Sequence, residues 1–127
     1  MLGDGCFRNS RHHNACFTSS LEDMEVYKTL IPYEIKTVDD IHHWIRVPNI
    51  GSILQNLTLL DTDSHTKFIP DVYKYNSRLN RLELLRGLLD TDGTVGYGGN
   101  VEYTTVSEHL ANDIVEVARS LGINCNT

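Results

Sequence analysis

The sequence contains no apolar run approaching the roughly 20 residues that a membrane-spanning helix requires, and its opening residues do not join a basic region to an apolar signal core. Neither a helical membrane protein nor a secreted precursor is expected. The expectation is an intracellular chain, cytoplasmic or nucleoid-associated. Cysteine is scarce: Cys6, Cys16 and Cys125 are odd in number and have no framework spacing, so thiols in a reducing compartment are expected. The set Cys6, His12, His13 and Cys16 matches no standard zinc-finger spacing. Positive charge is also in deficit. With 11 Lys and Arg against 17 Asp and Glu the net charge is −6, whereas a nucleic-acid binder normally presents a basic face. Charge alone favours an acidic protein-interaction module. The basic residues do cluster, however: Arg8 and Arg11 lie beside His12 and His13, and Lys36 and Arg46 flank His42 and His43.

What the chain has is enough apolar material for one domain with a real core. At 127 residues, 40% hydrophobic and 22% charged, it fits a globular protein rather than a disordered one. Short strands are expected at 6–9 and 14–18 around a polar turn at 10–13. Ser19 and Glu22 form a capping-box pattern before a helix that would bury Leu21, Met24, Val26, Tyr27 and Leu30 and stop at Pro32. Strands at 33–38 and 42–47 follow, with Asp39 and Asp40 in the turn and Trp44 packed inward. Ile50, Ile53, Leu54, Leu57 and Leu60 make a helical stripe over 50–60. Asn56-Leu57-Thr58 fits a glycosylation acceptor but falls inside that expected helix. A connector leads to a helical turn at 72–75 and a helix at 78–89, with Leu82, Leu85, Leu88 and Leu89 along one side. A strand pair at 94–97 and 100–105, joined by a tight Gly98-Gly99 turn, precedes a Ser107-capped helix over 108–121 that Gly122 ends.

An internal repeat follows from this layout. Asp-Gly, strand, strand and Ser-capped helix occur at 4–30 and again at 92–121, a spacing suited to a pseudo-symmetric two-lobed domain. Asp4 and Asp92 each stand at an expected helix end and precede a glycine. A carboxylate is electrostatically disfavoured there by the helix macrodipole, and a divalent cation is a natural compensation. Two carboxylates brought together repel unless they share a proton or a metal. Hard oxygen donors suit Mg²⁺ (or Mn²⁺), which also binds substrate phosphates. The bland alternative for Asp-Thr-Asp-Gly is a solvated turn after a core helix. An EF-hand loop is excluded because Val101 stands where its Glu is required.

Residues 85–93, Leu-Arg-Gly-Leu-Leu-Asp-Thr-Asp-Gly, resemble the signature of the LAGLIDADG (dodecapeptide, DOD-type) homing endonucleases, and Leu2-Gly3-Asp4-Gly5 repeats a shorter piece of it. The segment His65-Thr66-Lys67-Phe68-Ile69-Pro70, then Tyr73-Lys74 and Arg81 to Leu85, is similar to the stretch before the second motif in intein-encoded members. The resemblance implies an α+β fold of two αββαββα lobes with saddle-shaped antiparallel sheets, lobe one at 1–65 and lobe two at 66–127, both truncated. It implies a site-specific, metal-dependent double-strand DNA endonuclease, part of a larger intein and host protein. Asp4 and Asp92 would be the catalytic, metal-binding acids, and Lys67 the catalytic cation that polarises the attacking water or stabilises phosphoryl charge in the transition state. Asp90 would support the helix end, while Gly3, Gly5, Gly87 and Gly93 serve close helix packing and turns. Phe7, Arg8, Arg11, Tyr97, Asn100, Glu102 and Thr104 would be groove-facing, since strands in a major groove present alternate side chains to base edges. A catalytically dead, maturase-like DNA-binding protein of the same fold is the alternative.

Overall fold

The computed structural model describes residues 2, 15–19, 29, 34–37, 43–47 and 50–127. The expected first strand, the turns at 10–13 and 39–40, and the body of the 21–30 helix lie outside them, as do Gly3, Asp4, Gly5, Phe7, Arg8 and Arg11. The side chain of Trp44 does too. Thr29, within the expected helix, is helical. The secondary structure mixes helices with small antiparallel sheets, an α+β arrangement. The chain forms two compact units, one ending at Asp61 and the other comprising Thr62–Thr127 with Leu2. Among the described residues no helix is long and apolar enough to cross a membrane.

In the first unit, β1 (Ala15–Ser19), β2 (Glu34–Thr37) and β3 (His43–Val47) form a sheet of order β1-β3-β2. Both pairings are antiparallel, with Phe17 and Ile35 each opposite Ile45. Ser19, expected as a helix cap, is the last residue of β1. Helix α1 (Ile50–Asn56) is shorter than the apolar stripe predicts. Thr58 adopts a left-handed φ of 56°, the Leu59 amide donates to the Leu54 carbonyl at 2.9 Å, and the Thr58 amide donates to Gln55 at 3.0 Å. This is the paired hydrogen-bond pattern of a helix C-terminus turned by a left-handed residue. The turn leaves both Leu54 and Leu59 buried, so the stripe continues as core although the helix does not.

The second unit begins with a connector tied by Asp63, whose Oδ1 accepts from the His65 amide and from both the amide and hydroxyl of Thr66. These bonds, the Thr66 hydroxyl first, hold the Asp63 carboxyl below its ordinary range. After α2 (Asp71–Lys74), Ser77 caps α3 (Arg78–Asp92) by accepting from the Asn80 amide. The helix runs three residues beyond the expected 89, because the Gly93 amide still donates to the Leu89 carbonyl. Asp90, Thr91 and Asp92 are therefore helical, despite the low propensity of Asp and Thr.

Strands β4 (Gly93–Val95) and β5 (Val101–Tyr103) pair with Gly93 opposite Tyr103 and Val95 opposite Val101. The expected two-residue Gly-Gly turn is corrected here. The chain reverses through Tyr97, Gly98 and Gly99, closed by a bond from the Gly96 amide to the Asn100 carbonyl at 2.8 Å, with φ of 93° and 83° at the two central glycines. One extra loop residue changes which side chains oppose one another. Helix α4 (Glu108–Ser120) then carries Leu110, Ile114 and Val117 at helical spacing. They bury with Ala118, Ile69, Leu85 and Leu88, and Leu2, Leu84, Leu89, Tyr103, Leu121 and Cys125 pack around them. Each large apolar side chain buried there contributes about 1.5–3 kcal/mol.

Candidate catalytic site

Asp92 is the final residue of α3, and its half-buried carboxylate lies at the negative end of the helix dipole. The hairpin offsets that placement. Because Gly93 pairs with Tyr103, the Tyr103 ring returns beside the helix end and its hydroxyl donates to Asp92 Oδ2 at 3.2 Å. The Thr104 amide reaches the Asp92 carbonyl at 3.4 Å, so backbone and side chain are both tied to the returning strand. The neighbouring Thr91 hydroxyl donates to the Leu88 carbonyl at 2.9 Å. Tyr103 had no place in the sequence-derived site. The signal that would have found it is the hairpin register, which depends on the loop length.

Gly93 allows this tight passage from helix to strand. Its φ of −86° and ψ of 147° suit any residue, so conformational freedom is not the reason. A Cβ there would stand 2.3 Å from the Leu89 carbonyl oxygen and 2.8 Å from the Leu89 Cα. By contrast, Gly87 is exposed, and among the described residues a Cβ at that position would meet nothing within 4 Å. The close helix contact expected of Gly87 is not present among them. Asp90 is exposed on the last turn.

Lys67 is 7% exposed, a rare degree of burial for lysine. Its carbonyl accepts from the Ser107 hydroxyl at 2.6 Å. Ser107 is fully buried and also caps α4 by accepting from the Leu110 amide at 3.1 Å. Two residues on, the Ile69 amide donates to Asp113 Oδ2 at 2.8 Å, and Lys74 Nζ lies 2.7 Å from Asp113 Oδ1. Lys74 also approaches Glu116 at 3.5 Å, and Glu116 accepts from the Tyr75 hydroxyl at 3.0 Å. The hydrogen bond to Asp113 pushes the Lys74 ammonium above the ordinary lysine value of 10.5 against the opposing effect of burial. The Glu116 bond likewise raises the Tyr75 phenol. The ring of Phe68 stacks on His109 at 5.6 Å between centroids.

The expected groove-facing residues of the second unit lie on the hairpin. Tyr97 stands fully exposed in the loop, and Asn100, Glu102 and Thr104 are exposed along the returning strand and beyond it. Among the described residues no group of three or more His, Cys, Asp or Glu is arranged to hold a metal ion. The chemistry of Asp92, a half-buried hard oxygen donor, nevertheless suits Mg²⁺, which takes one or two carboxylates and completes its shell with water and phosphate.

Residues 80–127 match the model of the LAGLIDADG-like domain. That segment contains most of α3, Asp92, the hairpin and α4, the elements that build the geometry above. The chain is also similar to a replicative DNA helicase DnaB of Mycobacterium intracellulare, being 49% identical over 61 residues. The shared stretch is 48% of this chain and 11% of that protein, so the chain spans a small fraction of the relative's length. No solved structure matches.

Proposed function

We propose that the chain is part of a DOD-type homing endonuclease carried by an intein, a site-specific enzyme that hydrolyses both strands of duplex DNA with a divalent metal. The observation that carries this reading is the coincidence of the LAGLIDADG-like match with a carboxylate, Asp92, held at a helix end by the returning hairpin. The similarity to a DnaB helicase fits an intein inserted in a larger host protein. On this reading Asp92 and Asp4 supply the metal-binding carboxylates, and Mg²⁺ bound there would polarise the phosphodiester and the attacking water. Tyr103 orients the Asp92 carboxylate by its hydroxyl. Lys67 stabilises charge developing on the phosphoryl oxygens. Tyr97, Asn100, Glu102 and Thr104 meet the duplex along the hairpin, where the carboxylate of Glu102 suits a cytosine amino group better than a phosphate.

The test is cleavage of a duplex that joins the host-gene sequences on either side of the intein-coding insertion. With Mg²⁺ or Mn²⁺, linear products are expected, and Asp92→Asn is expected to abolish them while leaving DNA binding. Salt-dependent DNA binding with no cleavage under any divalent metal would instead favour the catalytically dead DNA-binding protein. Absence of DNA binding would favour the acidic interaction module.

A further inference from the structure

We infer that Ser107 and Asp113, both on the α4 side of the core, are positioning residues that clamp the Lys67 segment. Lys67 belongs to a connector with no strand or helix of its own, yet it is among the most buried polar residues described. A connector cannot hold a side chain to a fraction of an ångström unless its backbone is fixed from outside. Here it is fixed at two points. The Ser107 hydroxyl accepts from the Leu110 amide, which commits its single proton to the Lys67 carbonyl at 2.6 Å. Asp113 accepts the Ile69 amide on one oxygen and the Lys74 ammonium on the other, at 2.8 and 2.7 Å. Ile69 itself is 1% exposed in the core. Both peptide planes around residues 67–69 are thus set by α4.

Both clamping groups are buried, with Ser107 at 0% and Asp113 at 3% exposure, so water does not compete for either bond. Ser107 therefore has two separable duties, capping α4 and orienting Lys67. The catalytic consequence rests on the endonuclease reading above; the clamp itself is a property of the fold. Displacing a charged catalytic group by about 1 Å lowers rates by as much as roughly a hundredfold without weakening substrate binding.

The experiment uses the whole chain and four variants, Ser107→Ala, Ser107→Thr, Asp113→Asn and Lys67→Met, with fold checked by circular dichroism. The side-chain ammonium signal of Lys67 is followed by NMR on lysine-labelled protein, and single-turnover cleavage of the joined-site duplex is measured beside DNA affinity. Ser107→Ala is expected to move the Lys67 signal while leaving that of Lys74 in place, and to slow cleavage by roughly ten- to a hundredfold at unchanged affinity. Ser107→Thr, which keeps both bonds, is expected to restore the Lys67 signal and the rate. Folded Ser107→Ala and Asp113→Asn proteins with a wild-type Lys67 signal would overturn the clamp. So would a failure of Ser107→Thr to restore it. A Lys67 signal that moves in a chain that does not cleave would leave the clamp standing and remove the endonuclease reading instead, whereas cleavage that survives Lys67→Met would remove only the catalytic part given to Lys67.

Discussion

Replacing Lys74 with methionine tests whether the contact between α2 and α4 is a buried ion pair on which the second unit depends. The ammonium and the Asp113 carboxylate are 2.7 Å apart, with side chains 10% and 4% exposed. Lys74→Met keeps most of the apolar stem but leaves Asp113 charged and enclosed, opposed among the described residues by the Ile69 amide and the distant His109 Nε2 at 3.8 Å. Stranding one member of such a pair costs about 3–5 kcal/mol, a large share of the ~5–15 kcal/mol that stabilises a small domain. In urea unfolding the midpoint should fall by about 1 M or more. The double variant Lys74→Met/Asp113→Leu removes the stranded charge but deprives the buried Ile69 amide of its acceptor, a loss of about 1–3 kcal/mol. Its stability should lie between the single variant and the wild type. The pH dependence has a fixed sign. Pairing raises the Lys74 pKa above 10.5, so the stabilisation is complete below that value and is lost as pH climbs through the higher folded-state value. The wild-type advantage over Lys74→Met should be flat between neutrality and about pH 10 and shrink only above it. A single-variant loss under about 1 kcal/mol would place the pair in the class of weak surface bridges and refute the reasoning.

Gly93→Ala should destabilise the chain by about 1–3 kcal/mol, because its Cβ would meet backbone rather than a movable side chain; an unchanged melting temperature would contradict that crowding. Thr58→Gly should act in the opposite sense. It relieves a β-branched residue at φ 56°, where the left-handed region costs about 1–2 kcal/mol, and chemical denaturation should show a modest gain. Tyr103→Phe removes the hydroxyl 3.2 Å from Asp92 Oδ2. Stability should change by no more than about 1 kcal/mol, while on the endonuclease reading proposed above Mg²⁺-dependent cleavage should fall roughly tenfold. Equal cleavage by the variant would deny Tyr103 any orienting part.

The elements whose signals are local were legible in the sequence. The Ser107 cap, the apolar face of α4 and its glycine stop at φ 88° stand where the pattern puts them, because capping and 3.6-residue periodicity need only a few neighbouring residues. The strands at 34–37 and 43–47 fall within their expected ranges. Helix ends were less legible. Asp90, Thr91 and Asp92 are poor helix formers by themselves, yet α3 continues through them because the chain can pass the Leu89 carbonyl without a Cβ at Gly93. At α1 the opposite occurred, and a left-handed Thr58 ended the helix while Leu59 went on into the core. Such a residue gives no warning in composition. Within the candidate site, motif likeness picked out Asp92 and Lys67, but Tyr103, Ser107 and Asp113 act through contacts 11 to 44 residues away in sequence. Only the folded chain brings those together.

The hairpin between Asp92 and Thr104 has a mechanical consequence. Its loop holds Tyr97 fully exposed, and its root holds Tyr103 against the Asp92 carboxylate. The antiparallel ladder that joins them has three residue pairs, Gly93–Tyr103 at its root, about 10 Å at ~3.4 Å per residue. Loop and acid are therefore joined by a short paired ribbon rather than by a single strand. On the endonuclease reading, a duplex that fits the loop poorly would disturb the carboxylate as well as the grip. Fidelity would then be written into the speed of cutting as well as the strength of binding.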